Sequence, residues 1–453
     1  MINKKKILVI GGVAAGTSAA SKAKRVNPDS DVKIIQDEPV VSYGACGIPY
    51  VIEGIIDDFE ELIERSPAIF KKEHDIDVIV NTRAQKILPS KQRVFTTNLK
   101  DGKQIVFEYD SLVIATGARP IVPNVKGTDQ AGVFLVRNYG DGVKIKERTA
   151  NAHSCIIVGA GFIGLEMADA YKKRGIDVTV VEMSDHIFPN MVDKDLAKIV
   201  ENHLEGNGVK VRLGERLEEI IGNGEVKGIR TNKELIDADF IILGTGVRPN
   251  SEIAREAGIE LGYGNAIKVD EYMGTNIDNI YAAGDCATAT NYVTGKDSYL
   301  PLGTTANKQG RVAGENAAGG KAIFRGIAGS AITKTFDLYI GKTGLSVGEA
   351  SREGFDPIEK KIEGVTRSGY YPNNKSIWIK IVVDRKSDGR VLGSQIVGGE
   401  AVKGRIDLIS AALLLKANIS DLAAYDACYV PPASPVWEPV NIAASQVAKM
   451  ISK

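Results

Sequence analysis

Cys46 lies in VSYGACGIPY (41–50), just ahead of IPYVIEG, a segment that can open a helix with Pro49 in its first turn. The thiolate, not the thiol, attacks disulfides, and the free N–H groups of a helix N-terminus favour it. The placement therefore predicts a reactive sulfur with a lowered pKa. The ordinary alternative for a free cysteine is inert packing. The other cysteines stand at 155, 286 and 428, and no CxxC pair or Cys/His cluster occurs, so no metal site is expected. Cys155 opens an apolar run and Cys286 follows another, so both are expected in cores. Cys428 precedes Tyr429 and is less easily assigned.

A sulfur of this kind needs a partner for electron transfer, and two segments of one pattern supply the context. The first is KILVIGGVAAGTSAASKAKR followed by DVKIIQDE; the second is CIIVGAGFIGLEMADAYKKRG followed by DVTVVEM. Each reads as a buried strand, a glycine turn, a helix and a second strand, which is half of a Rossmann unit. The glycines are Gly11, Gly12 and Gly16 in the first copy and Gly159, Gly161 and Gly164 in the second. Val13 holds the middle position of the first copy, with Gly12 expected to supply the flexibility. Glycines let the backbone approach a pyrophosphate, and the helix N-terminus presents N–H groups to its charge.

Two such turns imply two dinucleotides, and the most economical pair is FAD with a nicotinamide nucleotide. YDSLVIATGARP (109–120) and TNIDNIYAAGDCA (275–287) fit the flavin side as strands ending in Thr116-Gly117 and Gly284-Asp285. In the first copy Gln36 and Asp37 occupy the ribose position. In the second, Glu182 can accept from a ribose 2′-hydroxyl and repel a 2′-phosphate, which favours NADH over NADPH.

Composition bounds the rest. The 453 residues carry 57 Lys+Arg against 57 Asp+Glu, a formal charge of zero, with 43% hydrophobic and 25% charged residues. That is an ordinary globular mixture with no global pull on nucleic acid or an anionic membrane. Glycine is enriched, at 48. No apolar run is long enough to span a bilayer. The start MINKKKILVIGGVAAG has only Ile7 to Ile10 as an apolar run before its glycines, so a cytoplasmic protein is expected rather than a secreted one. The expected architecture is α/β. Residues 1–118 and 250–325 would form a discontinuous FAD-binding domain, with an NAD(P)-binding domain at 119–249. From 326 to 453 strands (SIWIKIVVD, VLGSQIVGG) and a helix (RIDLISAALLLKAN) suggest an α+β domain able to mediate dimerisation.

These features together resemble the pyridine nucleotide–disulfide oxidoreductases, in particular their single-cysteine branch of coenzyme A–disulfide reductases, NAD(P)H sulfur reductases, NADH oxidases and NADH peroxidases. GGVAAG (11–16), VSYGACGIPY, GYYP (369–372) and YVPPASPVW (429–437) are most similar to the coenzyme A–disulfide reductases. The resemblance implies a homodimer whose active sites use residues of both subunits. It implies further cofactor contacts at Ala15, Ala84, Arg137, Thr304, Ile163 and Gly246, and Glu166 near the nicotinamide. Relatives with an internal redox disulfide carry C-x4-C; here the partner position is Val41, so Cys46 would cycle as a mixed disulfide or a sulfenic acid. Two-cysteine relatives use a C-terminal His-Glu pair, but the histidines here are at 74, 153, 186 and 203. The resemblance instead implies a tyrosine pair from the partner subunit, Tyr371 (with Tyr370 adjacent) and Tyr429. Ala14 stands where oxidases and peroxidases of the branch place a histidine, which favours disulfide, polysulfide or sulfur acceptors.

Ser18, Lys22 and Arg25 lie on the helix face that meets coenzyme A in such enzymes, and Ser42 matches a serine four before the cysteine. Ala45 and Trp437 depart from the Asn and Lys of some coenzyme A enzymes. The implied activity is NAD(P)H-dependent reduction of coenzyme A disulfide, polysulfide or a related small disulfide through Cys46, with Cys428 a candidate resolving thiol. An NADH oxidase and a non-catalytic flavoprotein redox sensor are the alternatives.

Overall fold

The computed structural model describes residues 4–451. The first three residues of the expected FAD-binding domain and the last two of the C-terminal domain lie outside them.

The apolar runs KILVI, DVKII and SLVI form strands, as their β-branched content favours. They join Ile76–Ile79 and Ile280–Ala282 in a five-stranded sheet. Its order is Ile280–Ala282, Ser111–Ile114, Lys6–Ile10, Asp31–Ile35, Ile76–Ile79, and every pairing is parallel. One edge thus comes from far along the chain. A second parallel sheet has the same plan: Lys210–Leu213, Asp177–Glu182, Ser154–Val158, Phe240–Leu243, Val133–Leu135. Their central strands read as near-continuous apolar runs because both faces are covered, one by helices and the other by a three-stranded antiparallel sheet: Thr82–Leu88, Arg93–Asn98 and Gln104–Glu108 on the first, Leu217–Gly222, Val226–Thr231 and Leu235–Asp237 on the second. A two-stranded ribbon, Ala118–Pro120 against Val247–Pro249, carries the chain between the two sheets.

The third sheet is antiparallel, ordered Ala331–Thr335, Leu338–Gly344, Arg390–Gly398, Ser376–Asp384, Pro357–Val365. The helices Val402–Leu414 and Pro439–Ile451 bury Val402, Ile406, Ile409, Val440, Ala443 and Val447 in the core beside it. The fold is therefore the α/β arrangement expected, two Rossmann-like sheets and a C-terminal α+β unit. No described helix is long and apolar enough to cross a membrane.

The helix after the first glycine turn, Ala14–Val26, packs on Gly303–Ala317 through small residues. A Cβ at Gly310 would overlap the carbonyl of Ala15, and one at Gly314 the carbonyl of Ala19. The two backbones approach this closely only because those side chains are missing. Gly314→Ala should lower the free energy of unfolding by about 1–3 kcal/mol, the usual cost of overpacking, as measured by a denaturant titration.

Candidate active site

Both glycine turns sit at the carboxyl ends of their first strands, beside the point where strand order reverses. Gly11 and Gly159 adopt φ +104, a backbone conformation that L side chains rarely adopt. A Cβ on Gly16 would overlap the carbonyl of Gly11, and one on Gly164 that of Gly159, so each helix starts hard against its own turn. Gly161 faces open space. The leading N–H groups of both helices receive no side-chain cap, from Val13 in one and Gly161 in the other. Uncapped backbone donors at a helix start beside a turn without side chains are what a dinucleotide pyrophosphate requires. The residues present fit both groups. Gly12 has a different part from the one expected of it. Its φ is not positive, and a Cβ there would come 2.8 Å from Val41 Cγ1, so it is needed for closeness while Gly11 makes the turn.

The strand-end residues face these turns. Gln36 Oε1 accepts from Gly12 N–H at 2.7 Å, and its amide donates to Glu38 Oε1 at 3.1 Å. Glu182 Oε2 accepts from Ala160 N–H at 2.9 Å and Oε1 from Ser184 N–H at 2.8 Å. Asp37 is exposed and paired with Arg83 at 3.3 Å, next to Ala84 on the Thr82–Leu88 strand. Glu38 was not singled out by the sequence. It accepts from the Tyr43 hydroxyl at 2.8 Å, and burial pushes its carboxyl up.

Around the mouth of the first turn, Gly117 (φ +67) and Gly284 (φ +82) bring their loops together. A Cβ on Gly284 would lie 2.7 Å from Ala15 Cβ. Arg137 Nη2 donates to Asp285 Oδ2 at 2.9 Å and Nε to the Ala118 carbonyl at 2.8 Å. Thr116 is stitched to Asn250 twice, at 2.6 and 2.9 Å; Asn250 gave no motif signal because its partner lies 134 residues away. Thr304 is exposed in the first turn of Gly303–Ala317, Ile163 is half-buried at the start of the second nucleotide helix, and Gly246 makes a turn at φ +98.

Cys46 occupies a one-turn 3-10 helix, Ala45–Gly47, running into the helix Ile48–Glu53. Its loop is strapped to the first glycine turn, since Ser42 (φ +50) donates its N–H to Gly12 O at 2.8 Å. Solvent reaches Cys46. Yet the crowding protein raises the thiol pKa by desolvation, and the charges of Glu166 and Asp285 raise it further. Arg137 and a backbone hydrogen bond oppose them without prevailing. Burial and the two carboxylates therefore act against the lowering expected from the N-terminus of the six-residue helix. The charges of Glu166, Asp285 and Arg137 thus all act on one sulfur. Glu166 accepts from Thr333 Oγ1 at 2.7 Å, and burial raises its carboxyl too.

Cys155 and Cys286 are buried, the latter donating to the carbonyls of Ala283 and Ile114 at 3.3 and 3.4 Å. Cys428 is exposed. In the C-terminal unit the hydroxyl pair is Tyr370 with Tyr429, at 3.2 Å, and Ser368 Oγ stands 3.5 Å from Tyr429. Tyr371 is half-buried beside the pair and is not hydrogen-bonded into it. Hydrogen bonds from Ser368 and Tyr370 lower the Tyr429 hydroxyl, and the bond to Tyr429 raises that of Tyr370. The loop behind Tyr429 is fixed by a buried pair that no motif announced. Arg405 meets Glu438 at 2.5 and 2.8 Å, with Ser434 Oγ on Glu438 at 2.9 Å. On the first nucleotide helix, Lys22 is paired with Glu315 at 2.8 Å and Ser18 donates to Asn307 at 2.7 Å, while Arg25 is exposed. The anion-binding face expected there is thus partly committed to Glu315.

The pyridine nucleotide-disulphide oxidoreductase family model matches residues 5–310, and the dimerisation domain of the same family matches 330–439. The chain belongs to this family of FAD- and NAD(P)H-dependent enzymes. It is 41% identical to the NADH oxidase of Methanocaldococcus jannaschii over 99% of each chain. It is 40% identical to the CoA-dependent NAD(P)H sulfur oxidoreductase of Pyrococcus abyssi over 97% of this chain and 98% of that one. Among solved structures, the NAD-dependent persulfide reductase of A. fulgidus superposes with a TM-score of 0.95 at 40% identity, over 99% of this chain and 83% of that one.

Glu166→Gln removes a charge that holds the Cys46 thiol up. Alkylation of Cys46 by iodoacetamide, followed by peptide-resolved mass spectrometry so that Cys428 is scored separately, should become faster at neutral pH. An unchanged rate would show that Glu166 does not reach the sulfur.

Proposed function

We propose that this chain is an FAD-dependent NAD(P)H:disulfide oxidoreductase that reduces coenzyme A disulfide, polysulfide or a related small disulfide through Cys46 alone. The observation that carries this reading is the isolation of that sulfur. The charges of Glu166, Asp285 and Arg137 act on Cys46, its loop is bonded to the first glycine turn, Val41 fills the C-x4-C partner position in the core, Cys155 and Cys286 are buried, and the exposed Cys428 lies beside Tyr429 in the C-terminal unit. The names of the relatives, a CoA-dependent sulfur oxidoreductase and a persulfide reductase, support the acceptor class.

FAD, when bound, supplies two-electron transfer between the nicotinamide and sulfur. The cradle for it consists of Gly11, Gly12, Ala15, Gly16, Gln36, Asp37, Ala84, Thr116, Gly117, Arg137, Gly284, Asp285 and Thr304. The pyridine nucleotide is assigned to Gly159, Gly161, Ile163, Gly164, Glu166, Glu182 and Gly246. The Cys46 thiolate attacks one sulfur of the substrate RSSR, forming Cys46–S–SR and releasing RS⁻, which takes a proton to leave as RSH. Two electrons and a proton then split the mixed disulfide, returning Cys46 and a second RSH. The balance is NAD(P)H + H⁺ + RSSR giving NAD(P)⁺ + 2 RSH.

In the dimer, the tyrosine pair of one subunit would serve the sulfur of the other, and Tyr429 is assigned the proton. Ser18, Lys22, Arg25 and Ser42 are assigned to the substrate. Lys22 must share its charge with Glu315, so Arg25 is given the larger part in holding an anionic substrate. NADH oxidases are among the relatives, but Ala14 leaves the first turn without a histidine for peroxide or oxygen chemistry, so the disulfide reading is preferred.

Non-reducing mass spectrometry of the isolated protein should show Cys46 carrying a small-thiol adduct, of coenzyme A mass if that is the thiol. Anaerobic NADH oxidation should require coenzyme A disulfide or sulfur and should fall by at least on the order of 100-fold in Cys46→Ser. NADH consumption only on admitting oxygen would establish the oxidase instead.

A further inference from the structure

The segment that carries Tyr429 has no ladder of its own. Residues 425–438 run between the helices Ile419–Ala424 and Pro439–Ile451 as neither helix nor strand. Such a stretch holds one shape only through turns and side-chain bonds. Tyr429 and Tyr370 are both exposed; their hydroxyls meet at 3.2 Å, with Ser368 Oγ 3.5 Å from that of Tyr429. An exposed ring gains little from packing, so the backbone beneath it decides where its hydroxyl stands.

That backbone is pinned from below. Ala433 and Ser434 donate their N–H groups to the carbonyl of Val430, next to Tyr429, at 2.9 and 3.1 Å. The Pro431 carbonyl accepts from Ser368 N–H at 3.2 Å, which joins this loop to the one carrying Tyr370. Ser434 Oγ stands 2.9 Å from Glu438 Oε2, and Glu438 accepts from Arg405 Nε at 2.5 Å and Nη2 at 2.8 Å. Arg405, Ser434 and Glu438 are all buried, and Arg405 comes from the helix Val402–Leu414. A buried ion pair adds little net stability once desolvation is counted, but a bidentate pair admits one geometry. The carboxylate is matched in charge and its oxygens are occupied, so its part is to hold the loop.

We propose that Glu438, with Arg405 behind it, is a positioning residue for the reaction: through Ser434 it sets the backbone from which Tyr429 delivers its proton. This rests on the assignment of the proton to Tyr429 above. The buried pair is not itself a catalytic group and acts only through the loop.

Anaerobic turnover of NADH with coenzyme A disulfide by the flavin-loaded protein tests this, in Tyr429→Phe, Ser434→Ala, Glu438→Gln and the doubles with Tyr429→Phe. Tyr429→Phe should lower kcat by on the order of 100-fold, as loss of a general acid does. Ser434→Ala and Glu438→Gln should each lower kcat by at least about fivefold, within what a small misplacement costs, with KM for coenzyme A disulfide unchanged. Added to Tyr429→Phe, neither should lower kcat further, because the proton they position is already gone. The rate at which NADH reduces the bound flavin, followed by stopped flow, should be the same in every variant. Glu438→Gln strands Arg405 and can unfold the C-terminal unit, so Ser434→Ala, which spares the pair, carries the same test. A loss that persists undiminished on the Tyr429→Phe background, or an equal fall in flavin reduction, would mark a general structural role and overturn the proposal. If Tyr429→Phe itself keeps the unaltered kcat, the proton assignment fails and takes the proposal with it. If Tyr429→Phe loses turnover while Ser434→Ala does not, the proposal fails alone.

Discussion

No side-chain carbon can stand at Gly16, because the carbonyl of Gly11 already fills its place. That exclusion lets the first helix begin against the end of the first strand, and much of the site hangs from it. The same turn receives the N–H of Ser42 and so fixes the loop of Cys46. Its helix takes Gly284 against Ala15 and Gly310 against the Ala15 backbone, which brings the Asp285 loop and the long helix of residues 303–317 to the same place. Segments from three distant parts of the sequence meet because small residues permit close approach, and a packed interior tolerates little displacement of any of them.

The electrostatics set on this frame are mixed in sign. Cys46 has two carboxylates and one guanidinium in its neighbourhood, and burial adds to the carboxylates. Arg137 is itself engaged by Asp285, so its help to the sulfur is shared. A thiol held up in this way is a guarded nucleophile. The positive end of a short helix, considered alone, misstates the balance.

The C-terminal unit does more than follow the nucleotide-binding region. Lys380, almost fully buried in its sheet, bonds Asp193 and Asp195 at the start of the helix Lys194–Gly206, at 2.9 and 2.7 Å, and Glu359 at 3.2 Å. Thr333 reaches Glu166, and the N–H of Phe336 reaches Asp169, both on the second nucleotide helix. The C-terminal unit, whose loops carry the tyrosine pair, is therefore fastened to the helix that carries Glu166. Buried charges of this kind contribute little net stability, but losing one partner strands the other, so they hold the units in one arrangement.

The strand–glycine–helix pattern and the position of Cys46 were legible in the sequence because each is a short-range regularity: a buried β-branched run, a turn that only glycine can make, and a helix after it. The family and α/β architecture follow from that pattern repeated. Other features arise from contacts between residues far apart. Tyr370 rather than Tyr371 meets Tyr429 because a loop from residue 366 and another from 429 are brought side by side, and adjacent tyrosines look alike until the second loop is placed. Lys22 is paired because Glu315 arrives on another helix, and Gln36 meets Gly12 because parallel strands align their ends. The raised Cys46 thiol has the same origin. Residue order tells which helix starts beside the sulfur, while only the assembled chain tells how much protein and how many carboxylates surround it, and for a charge the surroundings decide.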